Sequence, residues 1–198
     1  MGIDANKIMI GLADQSATTG ALGRGPVVDP DDIPTTMADA ITLVANYTTS
    51  GYVSEDGATL STDVSVTDLR EWNRNAVRRL LDSFDGTISL TLIQLDEEGA
   101  KQAFGEDAVT KTAATTTHGE QLTIALGAHL PAPQSWVLRM KDGDAKLIVL
   151  VPNGQVTSGV EISFVANDAI KLPVTISAND DGTGNSIYIF TDDGVTSA

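Results

Sequence analysis

The chain contains no cysteine, which removes disulfides, thiolate metal sites and cysteine nucleophiles together. Histidine is nearly as scarce. His118 and His129 are the only two, and no H-E-x-x-H spacing joins them, so both read as loop or surface residues rather than zinc ligands or catalytic bases. No Gly-x-Ser-x-Gly nucleophile elbow occurs, and no carboxylate pair stands out among the 27 acids. Basic residues are few, with 12 Lys and Arg against 27 Asp and Glu, a formal net charge of −15. A nucleic-acid-binding face needs a basic patch, which this balance disfavours. Long apolar runs are missing as well. The longest, Leu147 to Val151, falls far short of the roughly 20 residues that cross a bilayer as a helix. Met1 to Leu12 carries one lysine and no extended apolar stretch, so no signal peptide is expected. Together these absences point away from an enzyme, a cofactor or a metal site, and away from membrane insertion.

What is present suits strands joined by tight turns. Aromatics are 5% of the chain and glycines number 18, alongside many Ser, Thr and Asp. At 198 residues the chain is read as one domain, 1–198, large enough to bury roughly 70% of the surface its unfolded form exposes. The acidity supports solubility, or a surface built to repel something anionic.

Residues 14–50 differ from the rest. Gly20, Gly23, Gly25, Pro26, Pro30 and Pro34 punctuate them, and Asp29, Asp31, Asp32 and Asp39 cluster there. This predicts an irregular, extended loop or arm with little core of its own, of the kind that is functional or ordered by a partner. Gly20 to Gly25 superficially resembles a phosphate-binding glycine loop, but it lacks the lysine and a clear strand and helix around it, so plain loop is expected. The acidic stretches Asp29 to Asp32 and Asn179 to Asn185 lack the calcium-loop spacing and read as turns.

From Gly51 onward the pattern is mainly strand. Ile88, Leu90 and Leu92 alternate with Thr87, Ser89 and Thr91. One short helix follows. Asp96 is its N-cap, Glu97 and Glu98 suit the positive end of its dipole, Gly105 stops it, and Leu95, Ala100, Ala103 and Phe104 would pack it. Trp136 to Met140 and Ala145 to Val151 predict a hairpin around Asp142-Gly143, with a further turn at Pro152-Asn153-Gly154. Strands are expected at Val156 to Phe164 (on Val156, Val160, Ile162 and Phe164), at Leu172 to Ile176 and at Ile187 to Phe190. Residues 69–84 stay ambiguous. Leu69, Trp72, Ala76, Leu80 and Phe84 fit one helix face, whereas Arg70, Arg74 and Arg78, four apart, share a face in either a helix or a strand. These arginines and Arg79 form the one basic concentration, a solvated face or an ion-pairing surface between subunits.

Several of these segments resemble, in order, the phage major tail proteins, the tail tube subunits of long-tailed, non-contractile siphoviruses, above all those infecting actinobacteria. Gly25 to Thr36 is similar to the family's Gly/Pro loop, and Gly51-Tyr52-Val53-Ser54-Glu55-Asp56-Gly57 to the strand that follows it. Trp72 matches a typical tryptophan. Gly86 to Leu92 with the acidic helix start resembles the passage ending near Phe104-Gly105. Val151-Pro152-Asn153-Gly154-Gln155-Val156 resembles a recurrent element in which Asn153 replaces a basic residue. The likeness covers roughly residues 20–191.

The resemblance implies a mainly β fold, a β-sandwich or half-barrel of antiparallel strands with one short flanking α-helix and the extended N-terminal arm. It also implies that residues 69–81 are strand. Six copies would form a ring, and stacked rings a tube through which DNA passes as cargo into the host. The implied partners are further copies of the chain, a tape-measure protein, and the tail terminator and baseplate or distal tail proteins. Assembly would take place in the host bacterial cytoplasm, for a place in the virion tail. Arg70, Arg74, Arg78 and Arg79, with Asp29, Asp31, Asp32 and Asp39, are the expected subunit-interface residues. Six copies bring about −90 formal charges to a ring, so some acids are expected to meet the arginines and the rest to face the bore. A β-sandwich ligand- or carbohydrate-binding module is the competing reading, and it requires an exposed aromatic platform.

Overall fold

The computed structural model describes residues 8–14, 19–128, 130–157 and 161–196; His129 and Val160 lie outside them. Eleven strands and two helices occur among the described residues. In chain order they are β1 (Leu12–Ala13), β2 (Leu22–Gly25), α1 (Met37–Val44), β3 (Thr48–Thr49), β4 (Val53–Arg70), β5 (Ala76–Leu92), α2 (Glu97–Phe104), β6 (Val109–Thr112), β7 (Gln121–Ile124), β8 (Gln134–Asp142), β9 (Ala145–Val156), β10 (Leu172–Ala178) and β11 (Tyr188–Asp192). Nine of the strands form one antiparallel sheet with the path β3-β2-β8-β9-β10-β5-β4, while β1 adds to β8 and β11 to β9. β6 and β7 make a separate hairpin. The fold is mainly β and antiparallel, as the sequence predicts.

The alternation read in Gly86 to Leu92 sets the core. Ile88, Leu90 and Leu92 of β5 are buried and face Ile176, Val174 and Leu172 of β10 in register. With Trp136, Leu138, Val149, Val151 and Val156 they form one cluster, closed by Ala100, Ala103 and Phe104 of α2. Each fully buried aliphatic side chain contributes about 1.5–3 kcal/mol, so this layer dominates the stability of the body. The helix begins where expected. The Asp96 carboxylate accepts the Gly99 N–H at 2.7 Å, and Gly105, with φ 92°, ends it as its N–H reaches the Lys101 carbonyl. Leu95 stays largely exposed and takes no part in this core.

A second, smaller core lies on the opposite face of β8 and β9. Ala40 and Val44 of α1 pack there against Val137, Ile148 and Leu150, beside Tyr188 and Phe190 of β11. This changes the expected picture of residues 14–50. One flanking helix is predicted and two are present, because α1 sits inside that segment. It starts at Thr36, whose hydroxyl accepts the Asp39 N–H at 3.2 Å while donating to the Asp39 carboxylate at 2.7 Å. From residue 19 on, the segment is loop-rich but docked. Leu22, Val28, Ala40 and Val44 are all buried, and a Cβ at Gly20 would collide with the Ser50 carbonyl. The glycine-punctuated run is therefore partly strand, not free loop.

Other expectations shift for local reasons. The β8–β9 turn forms as predicted but one residue later, with Asp142 facing Ala145 and the loop at Gly143-Asp144. Gly143 has φ 59°, which fits a hairpin whose first central residue must be glycine. Pro152-Asn153-Gly154 is not a turn. β9 runs through it, and Pro152 falls at a register shift opposite β8, where a missing N–H costs least. The Pro152 carbonyl meanwhile accepts the Val28 N–H at 3.0 Å. Residues 161–171 are not a strand and Phe164 is exposed, since no neighbouring strand covers that alternation. The Asn179 to Asn185 stretch is a turn built on buried Asp181. Burial alone would raise that carboxyl, but hydrogen bonds from Tyr188 Oη at 2.6 Å, from the Thr183 hydroxyl and N–H at 2.7 Å each, and from the Asn185 N–H hold it below the usual carboxylate range.

Candidate assembly interface

The feature that departs most from a closed domain is the β4–β5 hairpin. β4 is 18 residues and β5 is 17, about three times the usual strand length. Only Gly86 to Leu92 of β5 pair with β10, so Ala76 to Asp85 pair with β4 alone. At ~3.3 Å per residue the two-stranded part projects ~33 Å from the sheet. Residues 19–50 are docked, with 15–18 of the expected arm outside the described residues, and the projecting arm lies after them in the chain.

Register assigns the faces of this arm. Leu60 faces Ile88, Val64 faces Phe84, and Val66 faces Leu81 beyond a bulge at Asp82. Because Ile88 points into the core, these pairs extend the core-side face of the sheet outward. Its apolar members Leu60, Val64, Val66, Leu81 and Phe84 are exposed, and toward the tip the same face carries Asp68 opposite Arg79 and Arg70 opposite Ala76. The other face carries Thr59, Ser61, Asp63 and Ser65, opposite Ser89, Thr87, Asp85 and Ser83, and nearer the tip Thr67 opposite Leu80 and Leu69 opposite Arg78. It continues over β10, where Ser89 and Thr175 hydroxyls lie 3.2 Å apart. Between the sheet and the bulge at Asp82 the arm is thus an amphipathic ribbon with one apolar face uncovered, beyond the bulge both faces mix apolar and charged residues, and both edges are unpaired. Such edges otherwise invite uncontrolled strand addition, and an isolated two-stranded ribbon is marginal in water.

At the tip the chain turns through Glu71 to Asn75. The Glu71 carbonyl accepts the Arg74 N–H at 2.8 Å, the Asn75 carbonyl accepts the Glu71 N–H at 3.0 Å, and Arg74 adopts φ 67°. This is the three-residue hairpin loop that ends in a left-handed residue. The helix-like spacing of residues 69–84 does not produce a helix; these residues are strand, turn and strand. Trp72 stands at the apex, 100% exposed.

The tip also holds the basic cluster. Arg70 and Arg79 reach Asp68 at 3.2 and 3.1 Å, and Arg70 donates to the Arg74 carbonyl at 3.0 Å. Arg74 and Arg78 form no ion pair among the described residues. The acidic candidates are elsewhere: Asp29, Asp31 and Asp32 lie in and beside the 3₁₀ turn at Pro30–Asp32, and Asp39 lies in the first turn of α1. All four are exposed, and none meets an arginine within the chain. The two sets are not brought together in one subunit.

Sequence reading missed Arg24, which is 6% exposed. From β2 it donates to Glu98 at 3.1 Å, Glu106 at 2.9 Å and Gln134 at 3.2 Å, tying α2 and the following 3₁₀ turn to the sheet. Its place between Gly23 and Gly25 suggested loop, and only the long-range pairing with β8 makes it strand. The apolar ribbon face was equally missed, although the Leu60, Val64 and Val66 alternation was available as a signal.

No curated protein sequence matches this chain. Among solved structures, it is similar to a chain of the virion of a native gene transfer agent particle, at 12% identity and TM-score 0.40, covering 75% of this chain and 90% of that one. It is also similar to the anti-feeding prophage cap, the tube terminating cap, at 11% identity and TM-score 0.44, covering 97% of this chain and all of that one. The profile of the family described as phage tail tube protein matches residues 13–198. A mainly β body, an uncovered ribbon and a family match over nearly the whole length place this chain in the phage tail tube protein family.

Proposed function

We propose that this chain is a structural subunit that polymerises with copies of itself into stacked hexameric rings, forming the tube of a siphovirus tail through which DNA passes. The observation that carries this is the amphipathic β4–β5 ribbon. Its apolar face has no cover within the subunit, and neighbouring copies supply that cover at no cost to the body. Pairing the free edges of β4 and β5 across subunits joins the sheets and removes the aggregation hazard of an open edge. The Ser, Thr and Asp face of β4, β5 and β10 then lines the bore. It holds Asp63 and Asp85, and neither residues 59–65 nor residues 83–91 include a lysine or arginine. Like-charge repulsion keeps DNA from adhering to such a wall.

On this reading the subunit's partners are its own copies, a tape-measure protein in the growing tube, and terminator and distal tail or baseplate proteins at its ends. Assembly proceeds in the host cytoplasm, and an actinobacterial host fits the resemblance. The placement of the exposed aromatics gives the carbohydrate-binding alternative little support. Tyr52 and Trp72 flank opposite ends of β4, roughly 60 Å apart at the rise of a strand, while Phe84 lies on β5 and Phe164 on the irregular segment before β10.

Negative-stain electron microscopy of the purified protein over increasing concentration tests the proposal. Rings or tubes are expected. A species that stays monomeric at every concentration and binds an oligosaccharide would overturn it.

A further inference from the structure

The long sheet differs in charge at its two ends. At the tip of the arm, residues 68–79 hold four arginines against Asp68 and Glu71, a net charge of +2 in a chain of −15. Arg74 and Arg78 have no ion-pair partner among the described residues. The far end lies where Leu92 of β5 pairs with Val53 of β4 and Leu172 of β10, roughly 50 Å from the tip at the rise of a strand. There the irregular segment before β10 stands beside the facing Thr91 and Pro173. It leaves an open cavity of about 360 Å³, lined also by Glu161, Val165, Asp168 and Lys171. Asp168 binds Lys171 at 2.8 Å, and Glu55 and Asp56 act on the same lysine through space. With Glu161 they make four exposed acids around one lysine, a net charge of −3. Glu55, Asp56 and Glu161 form no ion pair among the described residues.

We infer that the arm tip of one subunit docks on this acidic end of a copy in the next ring, so that rings stack head to tail. The inference rests on the assembly reading above and names the contact between rings. Where strand edges pair around a ring, the strands run from rim to rim, which sets the tip and the acidic end on opposite rims. A contact between them is heterologous, and a heterologous contact that does not close repeats into an open filament. Tip against tip would set +2 against +2, and acidic end against acidic end −3 against −3. Only the head-to-tail stack brings opposite signs together, and complementary charge of this kind fixes orientation and register more than strength.

The acids Asp29, Asp31 and Asp32 are placed differently. The Val28 N–H donates to the Pro152 carbonyl at 3.0 Å, and a Cβ on Gly182 would meet the Pro30 ring. Gly182 lies just past Ala178, which pairs with Gly86 at the root of the arm. These acids therefore stand at the arm's own rim, and a tip entering from the opposite rim reaches Glu161 and Asp168 first. Both ends of the sheet also expose apolar side chains, Trp72 at the tip and Phe164 and Val165 at the acidic end, so the contact covers apolar surface as well as pairing charge.

Exchange of charge between the two ends tests the contact. Arg74→Glu with Arg78→Glu turns the tip acidic, and Glu55→Arg with Glu161→Arg turns the far end basic. Either pair alone should raise the concentration at which tubes form in negative stain by about tenfold or more. The unfolding midpoint should not move, because all four side chains are exposed. Both pairs in one chain restore opposite signs and should bring tube formation back to within about threefold of wild type. The absence of native cysteine allows a second check. Asn73→Cys and Ser163→Cys in one chain, joined by a short bis-maleimide after assembly, should give a ladder of covalent oligomers, whereas each single variant stops at dimers. Three results would each overturn this inference and leave the tube reading standing: a reversed pair that forms tubes at wild-type concentrations, a combined variant no better than its parents, or tubes without the ladder. A wild-type protein that never forms rings or tubes overturns both.

Discussion

Arg24 concentrates several roles in one side chain. It is buried, yet three acceptors from α2, the following turn and β8 surround it. Removing one partner of a buried, hydrogen-bonded ion pair costs about 3–5 kcal/mol, because the remaining charges lose compensation. Glu98 and Glu106 keep access to solvent, so the lower end applies. Arg24→Ala should lose about 3 kcal/mol, read as a lower urea midpoint at constant slope. Asp181 has a pH signature. Its carboxyl is held below the ordinary range in the folded state, so its contribution is complete above the unfolded pKa and is lost as pH falls through the folded value. Asp181→Asn should therefore destabilise near neutral pH, with the gap to wild type closing below about pH 4. An equal gap at pH 3 and pH 7 would contradict the assignment. Arg74 sits at positive φ, which costs a non-glycine residue about 1–2 kcal/mol. Arg74→Gly should slow exchange of the Glu71 and Arg74 amides roughly fivefold, the factor that corresponds to about 1 kcal/mol.

At the scale of elements, the contrast is between elements that carry the core and the one that does not. α2 and the β8–β9 hairpin announce themselves because cap, turn glycine and buried alternation agree. The arm does not, since an exposed ribbon has no core to enforce period two, and arginines four apart satisfy helix and strand alike. Position 152 misleads for a related reason. Pro-Asn-Gly is strong turn chemistry in isolation, but β9 absorbs it at a bulge where its partners change from β11 to β10. The arm's independence is testable. Replacing Val66 to Asp82 with Asn-Gly joins the facing Ser65 and Ser83 through a two-residue turn. The body should keep its unfolding temperature within a few degrees by calorimetry, because no residue removed is buried, while assembly should be lost.

For the whole molecule, a net charge of −15 sets how copies meet. Repulsion between like subunits acts over the Debye length, about 30 Å at 0.01 M salt and 8 Å at 0.15 M, whereas arginine–carboxylate contacts act at touching distance. Raising salt across that range should lower the concentration at which scattering reports assembly. A rise in that concentration would mean that contact ion pairs, not apolar cover, dominate the association.

Composition and pattern by themselves determined the class: β-rich, acidic, short of the residues that zinc, thiol or nucleotide chemistry requires, with α2 and the buried face of β5 readable from caps and alternation. Ordered motifs along the chain also carried the family, since each local element keeps its turn and strand chemistry wherever it packs. Only the tertiary structure decided which segment is docked and which projects. The segment at 14–50 looks free because loops and short helices hide their contacts in distant strands, and nothing local in 53–92 shows that β4 and β5 outrun their neighbours, because pairing partners are not written in the sequence. The low basic content first read as an absence therefore has a location: four of the twelve cations stand at the end of the arm, where long-range strand register, and nothing local, puts them.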